Sequence, residues 1–172
     1  MSLRVPVSDN DHSQGEKNAA IVLIEYGDYE CPHCGAAYPV IKKLQKHFGG
    51  KLRFIFRNFP IAESHPHAVT AAYVAEASAL QDKFWPVHDL IYEHQQNLST
   101  KLLLSLAESA GVDIKQLSQD ISTPAVTDRV EKDLEGGARS GVNGTPSFFV
   151  NGYKYEGYHE YDRMRKDLES IL

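Results

Sequence analysis

Residues 21–34 read Ile21-Val22-Leu23-Ile24-Glu25-Tyr26-Gly27-Asp28-Tyr29-Glu30-Cys31-Pro32-His33-Cys34, and this stretch decides how the chain is read. Its first six residues are apolar apart from Glu25, rich in β-branched side chains, and bounded by Asn18 and Gly27, which predicts a buried strand. After the turn Gly27-Asp28-Tyr29-Glu30 the period changes. Tyr38, Ile41, Leu44 and Phe48 recur at helical spacing until Gly49-Gly50 stops them. Pro39 falls inside this helix and is expected to kink it near its first turns. Leu52-Arg53-Phe54-Ile55-Phe56-Arg57 reads as a second strand. Strand, helix and strand in this order predict a βαβ unit with parallel strands and a right-handed crossover.

Working outward, polar residues 8–18 read as a loop around Gly15. Residues 66–140 are helical almost throughout: Ala68, Ala71, Ala72, Ala75 and Ala79 mark one helix, and Trp85-Pro86 opens another with proline in its first turn. Leu102, Leu103, Leu106 and Ala110 form a third that ends at Gly111. Asp113 caps a short fourth, and Pro124 starts a fifth that runs towards Gly136-Gly137. Ser147-Phe148-Phe149-Val150, Asn151-Gly152 and Tyr153-Lys154-Tyr155-Glu156 then predict a β-hairpin with a type I′ turn. Tyr161 to Leu172 is a closing helix with Met164, Leu168 and Ile171 on one stripe. The expected class is therefore α/β, a central mixed β-sheet flanked by helices. It forms one domain over residues 1–172, with residues 63–135 as a helical insertion within it.

A length of 172 residues suits one domain, and a chain this long buries roughly 70% of its unfolded surface without needing a staple. The net charge of -5 speaks against a nucleic-acid partner, which needs clustered base. No apolar run has membrane-spanning length. The first residues lack the basic and apolar regions of a signal peptide. The compartment expected is thus the cytoplasm if the chain is complete, and the periplasm if a leader has been removed.

Only two cysteines occur, and they stand three apart. Random placement gives that spacing about 1% of the time. Cys31 falls at a strand-to-helix junction, where free N–H groups and the helix dipole favour a thiolate. Pro32 suits the first helical position because it has no N–H to lose. Cys34 lies one turn further on, within reach of Cys31. Such a pair reads as a redox dithiol, needing no cofactor beyond itself. The other reading is half of a zinc site, which needs four ligands, and His65-Pro66-His67 is the nearest source of the rest. Glu25 interrupts an apolar strand, and a desolvated carboxylate there would have a raised pKa and could exchange protons with a buried thiol.

Cys31-Pro32-His33-Cys34 carries the dipeptide of the oxidising members of the DsbA-like branch of the thioredoxin superfamily, the bacterial thiol-disulfide oxidoreductases. Gly144-Thr145-Pro146-Ser147-Phe148-Phe149-Val150-Asn151-Gly152 resembles the superfamily's cis-proline segment and hairpin, and Phe56-Arg57-Asn58-Phe59-Pro60 is also of the family's type. The resemblance covers residues 15–172. It implies a thioredoxin-like fold with an inserted helical subdomain, and exchange with protein or peptide thiol or disulfide substrates through a mixed disulfide. A redox-recycling partner or glutathione would complete the cycle, with no nucleic-acid or membrane partner. By position, Cys31 matches the nucleophile, Cys34 the resolving cysteine, Pro146 the cis-proline and Thr145 the residue whose backbone pairs with substrate. Glu25 matches the superfamily's buried acid. His33 is expected to support the Cys31 thiolate as a cation or hydrogen-bond donor, while Asp28 and Glu30 oppose it. Two other classes stay open: a peptide-binding module or holdase using the helical insertion, and a metal-stabilised domain. His12, His47, His88, His94 and His159 read as surface residues, Trp85 as a packing anchor, and Gly136-Gly137 as a helix end or a close approach of backbones.

Overall fold

In the computed structural model, which describes all 172 residues, strand β2 (Ile21–Gly27) is the middle strand of a five-stranded mixed sheet. It is followed by helix α1 (Pro32–Phe48) and strand β3 (Leu52–Asn58), which pairs with β2 in parallel from Ile21–Leu52 to Gly27–Asn58. On its other side β2 pairs antiparallel with β4 (Ser147–Val150), and β4 turns through Asn151-Gly152 into β5 (Tyr153–Lys154). Asn151 and Gly152 have φ of 49° and 89°, the left-handed pair that a two-residue type I′ turn requires. β5 is shorter than the expected Tyr153–Glu156, although Tyr155 N–H still donates to Phe148 C=O at 2.8 Å.

The outer strand on the far side was not foreseen. Residues 12–14, expected within a loop, form strand β1 (His12–Gln14), antiparallel to β3. Three residues are too few to show a period. What holds them is tertiary: the His12 ring stacks on Phe84 at 3.6 Å and its Nε2 meets the Glu76 carboxylate at 2.9 Å.

Between β3 and β4 lie α2 (Ala68–Ala79), α3 (Phe84–Glu93), α4 (Thr100–Ser109), α5 (Ile114–Asp120) and α6 (Pro124–Arg139). The boundaries follow capping chemistry. Ser99 Oγ accepts from Leu102 N–H, Asp113 Oδ1 accepts from Gln116 N–H, and Gly111 leaves α4 at φ 95°. α6 runs through Gly136-Gly137, which face side chains rather than backbone. A methyl at Gly136 would stand 2.8 Å from Val5 Cγ2, and one at Gly137 2.9 Å from Phe59 and 3.0 Å from Tyr26. The closing helix α7 (Tyr161–Glu169) buries Met164 and Leu168, but it ends before Ile171, which is 44% exposed. α1 is one helix from Pro32 to Phe48 with Pro39 inside it.

Strand alternation sorts the sheet into two faces. Ile21, Leu23, Phe54, Phe56 and Phe148 join the large core with α1, α7 and the inserted helices, while Ile24, Tyr26, Ile55 and Phe149 form a small cluster on the other side. Glu25 is in phase with Ile21 and Leu23, and its ladder partners are Phe56 and Phe148. The strand therefore carries its one carboxylate to the face that α1 covers.

Candidate active site

Cys31 caps α1 with extended φ and ψ (−73°, 122°), and Pro32 follows in the first turn. Its N–H donates to Asp28 C=O at 3.1 Å and its C=O accepts from Gly35 N–H at 3.0 Å, so the sulfur sits beside the open end of the helix. Cys34, one turn in, is fully buried, and Asp28 N–H points at its Sγ from 3.5 Å. Both cysteines are free thiols.

The two sulfurs are driven apart in acidity. The hydrogen bond from Cys34 lowers the Cys31 thiol to about 5, helped by Thr145 and by the N–H groups of Cys34 and His33, against the opposing effect of burial. Burial drives Cys34 the other way, well above an ordinary thiol, and the charges of Glu25 and Cys31 add to it. One cysteine is thus a ready thiolate and the other a held thiol.

Two further parts of the chain meet them. Thr145 lies 114 residues from Cys31, and its C=O accepts from Cys31 Sγ at 3.5 Å. Its peptide bond to Pro146 is cis, and its Oγ1 is buried with no hydrogen-bond partner. Beside it an open groove runs between Asn143–Ser147 and the Lys154–Gly157 segment. Glu25 is 3% exposed, and its Oε1 has no partner. Desolvation, and then the charge of Cys31, raise its carboxyl to about 8, so near neutral pH it holds a proton it can give up.

The structure brings Cys31, Pro32, Cys34, Glu25, Thr145 and Pro146 into one place. His33 behaves differently from expectation. Its side chain is exposed and makes no hydrogen bond, and what reaches Cys31 is its backbone N–H. The first turn of the helix points that imidazole outward. The opposition expected of Asp28 and Glu30 is also answered. Asp28 accepts from Ile61 N–H, Glu30 N–H and His65 Nδ1, each at 2.8 Å, and Glu30 meets His67 N–H at 2.7 Å and its Nδ1 at 2.9 Å. Burial works against the charge on His65, but the hydrogen bond and charge of Asp28, with Cys31 behind them, raise its pKa. His65 and His67 are thereby committed to carboxylates, and no group of three or more metal-binding side chains converges anywhere.

Sequence reasoning missed the wall behind the site. His88, expected at the surface, is 2% exposed and its Nδ1 meets Tyr29 Oη at 2.8 Å, inside rings from Phe56, Phe84, Trp85 and Tyr92. Burial keeps its pKa well below the usual imidazole value. Tyr92 Oη donates to Asp28 C=O at 3.4 Å. The only sequence signal was that His88 shares a helical face with Phe84 and Ile91.

A family model described as thioredoxin matches residues 7–170. Among solved structures, a thioredoxin-like oxidoreductase from Silicibacter pomeroyi superposes with a TM-score of 0.82 at 25% identity, over 95% of this chain and 92% of that one. BdbD from Bacillus subtilis, in its oxidised form, gives 0.82 at 25% identity over 92% and 91%. The thiol-disulfide exchange protein alpha-DsbA2 from Wolbachia pipientis shares the fold, at 0.83 and 23% identity over 95% and 88%. The curated relatives are longer proteins. A Na(+)/H(+) antiporter NhaA 1 from Salinispora arenicola is 37% identical over 100% of this chain and 26% of its own length, and one from Mycolicibacterium vanbaalenii is 38% identical over 98% and 28%. The chain spans about a quarter of these relatives.

Proposed function

The chain belongs to the thioredoxin family, and on that premise we propose that it is of the DsbA-like branch and exchanges disulfides with protein or peptide substrates through a mixed disulfide on Cys31. The observation that carries this reading is the split between the two sulfurs, a thiolate at the helix end backed by a buried thiol. In the oxidising direction a substrate thiolate attacks Cys31 Sγ of the Cys31–Cys34 disulfide. Cys34 leaves as a thiolate and takes the Glu25 proton. A second substrate thiolate then attacks the substrate sulfur of the mixed disulfide and releases Cys31 as a thiolate. Two electrons pass to the protein and one disulfide forms in the substrate. Thr145, at the groove edge, would pair its main chain with the substrate strand.

Direction follows from how strongly the reduced pair is held. At pH 7 a thiol at about 5 rather than 9 favours the reduced form by the distance from pH 5 to pH 7. In full that is about 2.7 kcal/mol. Solvent at the open end of the helix screens part of this charge, although Cys31 itself is only 4% exposed, leaving about 1.5–2 kcal/mol. The pair is then more oxidising by roughly 30–40 mV. Such a poise serves a compartment outside the cytoplasm, where glutathione does not hold the pair reduced. No helix is long and apolar enough to cross a membrane, and the antiporter name belongs to relatives of which this chain spans about a quarter.

Cys34→Ser tests the reading. It should accumulate substrates as mixed disulfides on Cys31, released by reductant, because no second thiol resolves them. Normal turnover by this variant overturns the two-cysteine mechanism. A titration of the pair against glutathione fixes the direction.

A further inference from the structure

One polar side chain of the helical insertion reaches the backbone of the nucleophile. Gln95 opens the 3-10 turn Gln95–Asn97 between α3 and α4 and is half-buried. Its Nε2 donates to Tyr29 C=O at 3.0 Å and to Cys31 C=O at 2.6 Å, so both amide hydrogens are spent on the turn that delivers Cys31. Gly35 is fitted around this amide. The three nearest atoms to a methyl placed there all belong to Gln95, and the methyl would overlap Oε1. Gly35 has no positive φ, so the backbone does not demand glycine. Glycine is disfavoured inside a helix relative to alanine, and the space taken by Gln95 accounts for its presence.

We propose that Gln95 is a positioning residue for the exchange reaction, its amide holding the Tyr29–Cys31 main chain so that Cys31 stays at the cap of α1. This rests on the exchange reading above. The Cys31 carbonyl takes two donors, Gln95 Nε2 and Gly35 N–H, which fix the peptide that orients the sulfur. The positive end of the side-chain amide dipole also points at the turn beside the sulfur and adds to the field of the helix N-terminus. Glutamine does this without a charge of its own.

The test is the Cys31 thiolate titration, followed by ultraviolet absorbance, in the reduced wild type, Gln95→Ala, Gly35→Ala and the double variant. Gln95→Ala should raise the Cys31 midpoint by about half to one pH unit. Gly35→Ala, whose methyl evicts the amide while leaving Gln95 in the chain, should raise it similarly, and the double variant no further than either. A residue that only holds the fold would lower the urea midpoint and leave the thiolate midpoint in place. That result, or additive shifts in the double variant, overturns the proposal. A wild type in which Cys31 titrates as an ordinary thiol overturns the exchange reading itself. A low wild-type midpoint unmoved by Gln95→Ala overturns only the positioning role.

Discussion

Replacing Glu25 by glutamine should make the protein more stable at neutral pH and less able. The carboxyl is fully buried beside Cys34 with one oxygen unpartnered, and its pKa stands at about 8 against an ordinary 4.5. At pH 7 the unfolded chain carries this group ionised, while the folded protein holds it mostly neutral. Folding must therefore protonate it, at a cost of about 3 kcal/mol. The stability that Glu25 permits is full below pH 4.5 and is lost as pH rises through 8, where the deficit reaches about 5 kcal/mol. Glutamine keeps the shape and does not ionise, but it buries an amide with few partners, a pH-independent cost of about 1 kcal/mol. The gain of Glu25→Gln over wild type should thus be near −1 kcal/mol at pH 4 and about +2 kcal/mol at pH 7. Urea unfolding of the two reduced proteins at both pH values measures it, with equal slopes expected. A difference that does not change with pH would show that packing, and not ionisation, governs this position. Release of Cys34 should slow in the same variant, because its proton donor is gone.

Cys31 should alkylate with a half-maximal rate near pH 5, and Cys34 should stay unlabelled in the folded protein; an ordinary profile for Cys31 would remove the thiolate from the mechanism. His88→Phe should cost about 1–3 kcal/mol at pH 7 by leaving Tyr29 Oη buried without its partner. Because burial keeps His88 neutral, its contribution falls away below pH 6.5, so the gap to wild type should narrow in acid; a constant gap in urea melts contradicts this. Gly137→Ala should lose about 1–2 kcal/mol by pressing on Phe59 and Tyr26, despite alanine's better helix propensity. Gly144→Ala, with open space around it, should change the urea midpoint little.

What was legible in the sequence was what local chemistry writes down. Period and punctuation placed β2, α1, β3 and the Asn151-Gly152 hairpin, and the spacing of Cys31 and Cys34 marked the site. Glu25 stood out because a lone carboxylate in an apolar strand has no local reason. What was illegible depends on partners far along the chain. β1 exists because His12 finds Phe84 and Glu76. His88 looks like any scattered histidine until Tyr29, 59 residues away, comes to meet it. His33 was given a role by its neighbour in sequence, whereas rotation along the helix turns its ring outward and leaves its N–H to act. Asp28 and Glu30 look like bare charges in the sequence because nothing local shows that His65 and His67 fold over them.

The 114 residues between Cys31 and Thr145 also put the site on a clock. A ribosome adding about 5–20 residues per second makes the nucleophile roughly 6 to 23 s before the strand that completes its surroundings. Until β4 docks against β2, Cys31 lacks the Thr145 contact that lowers its pKa, and the groove beside Thr145 does not exist. The nascent thiol is thus closer to an ordinary cysteine, slow to attack the disulfides of other chains. Full reactivity is acquired with the last strands of the sheet, so the protein is armed only when it is nearly whole.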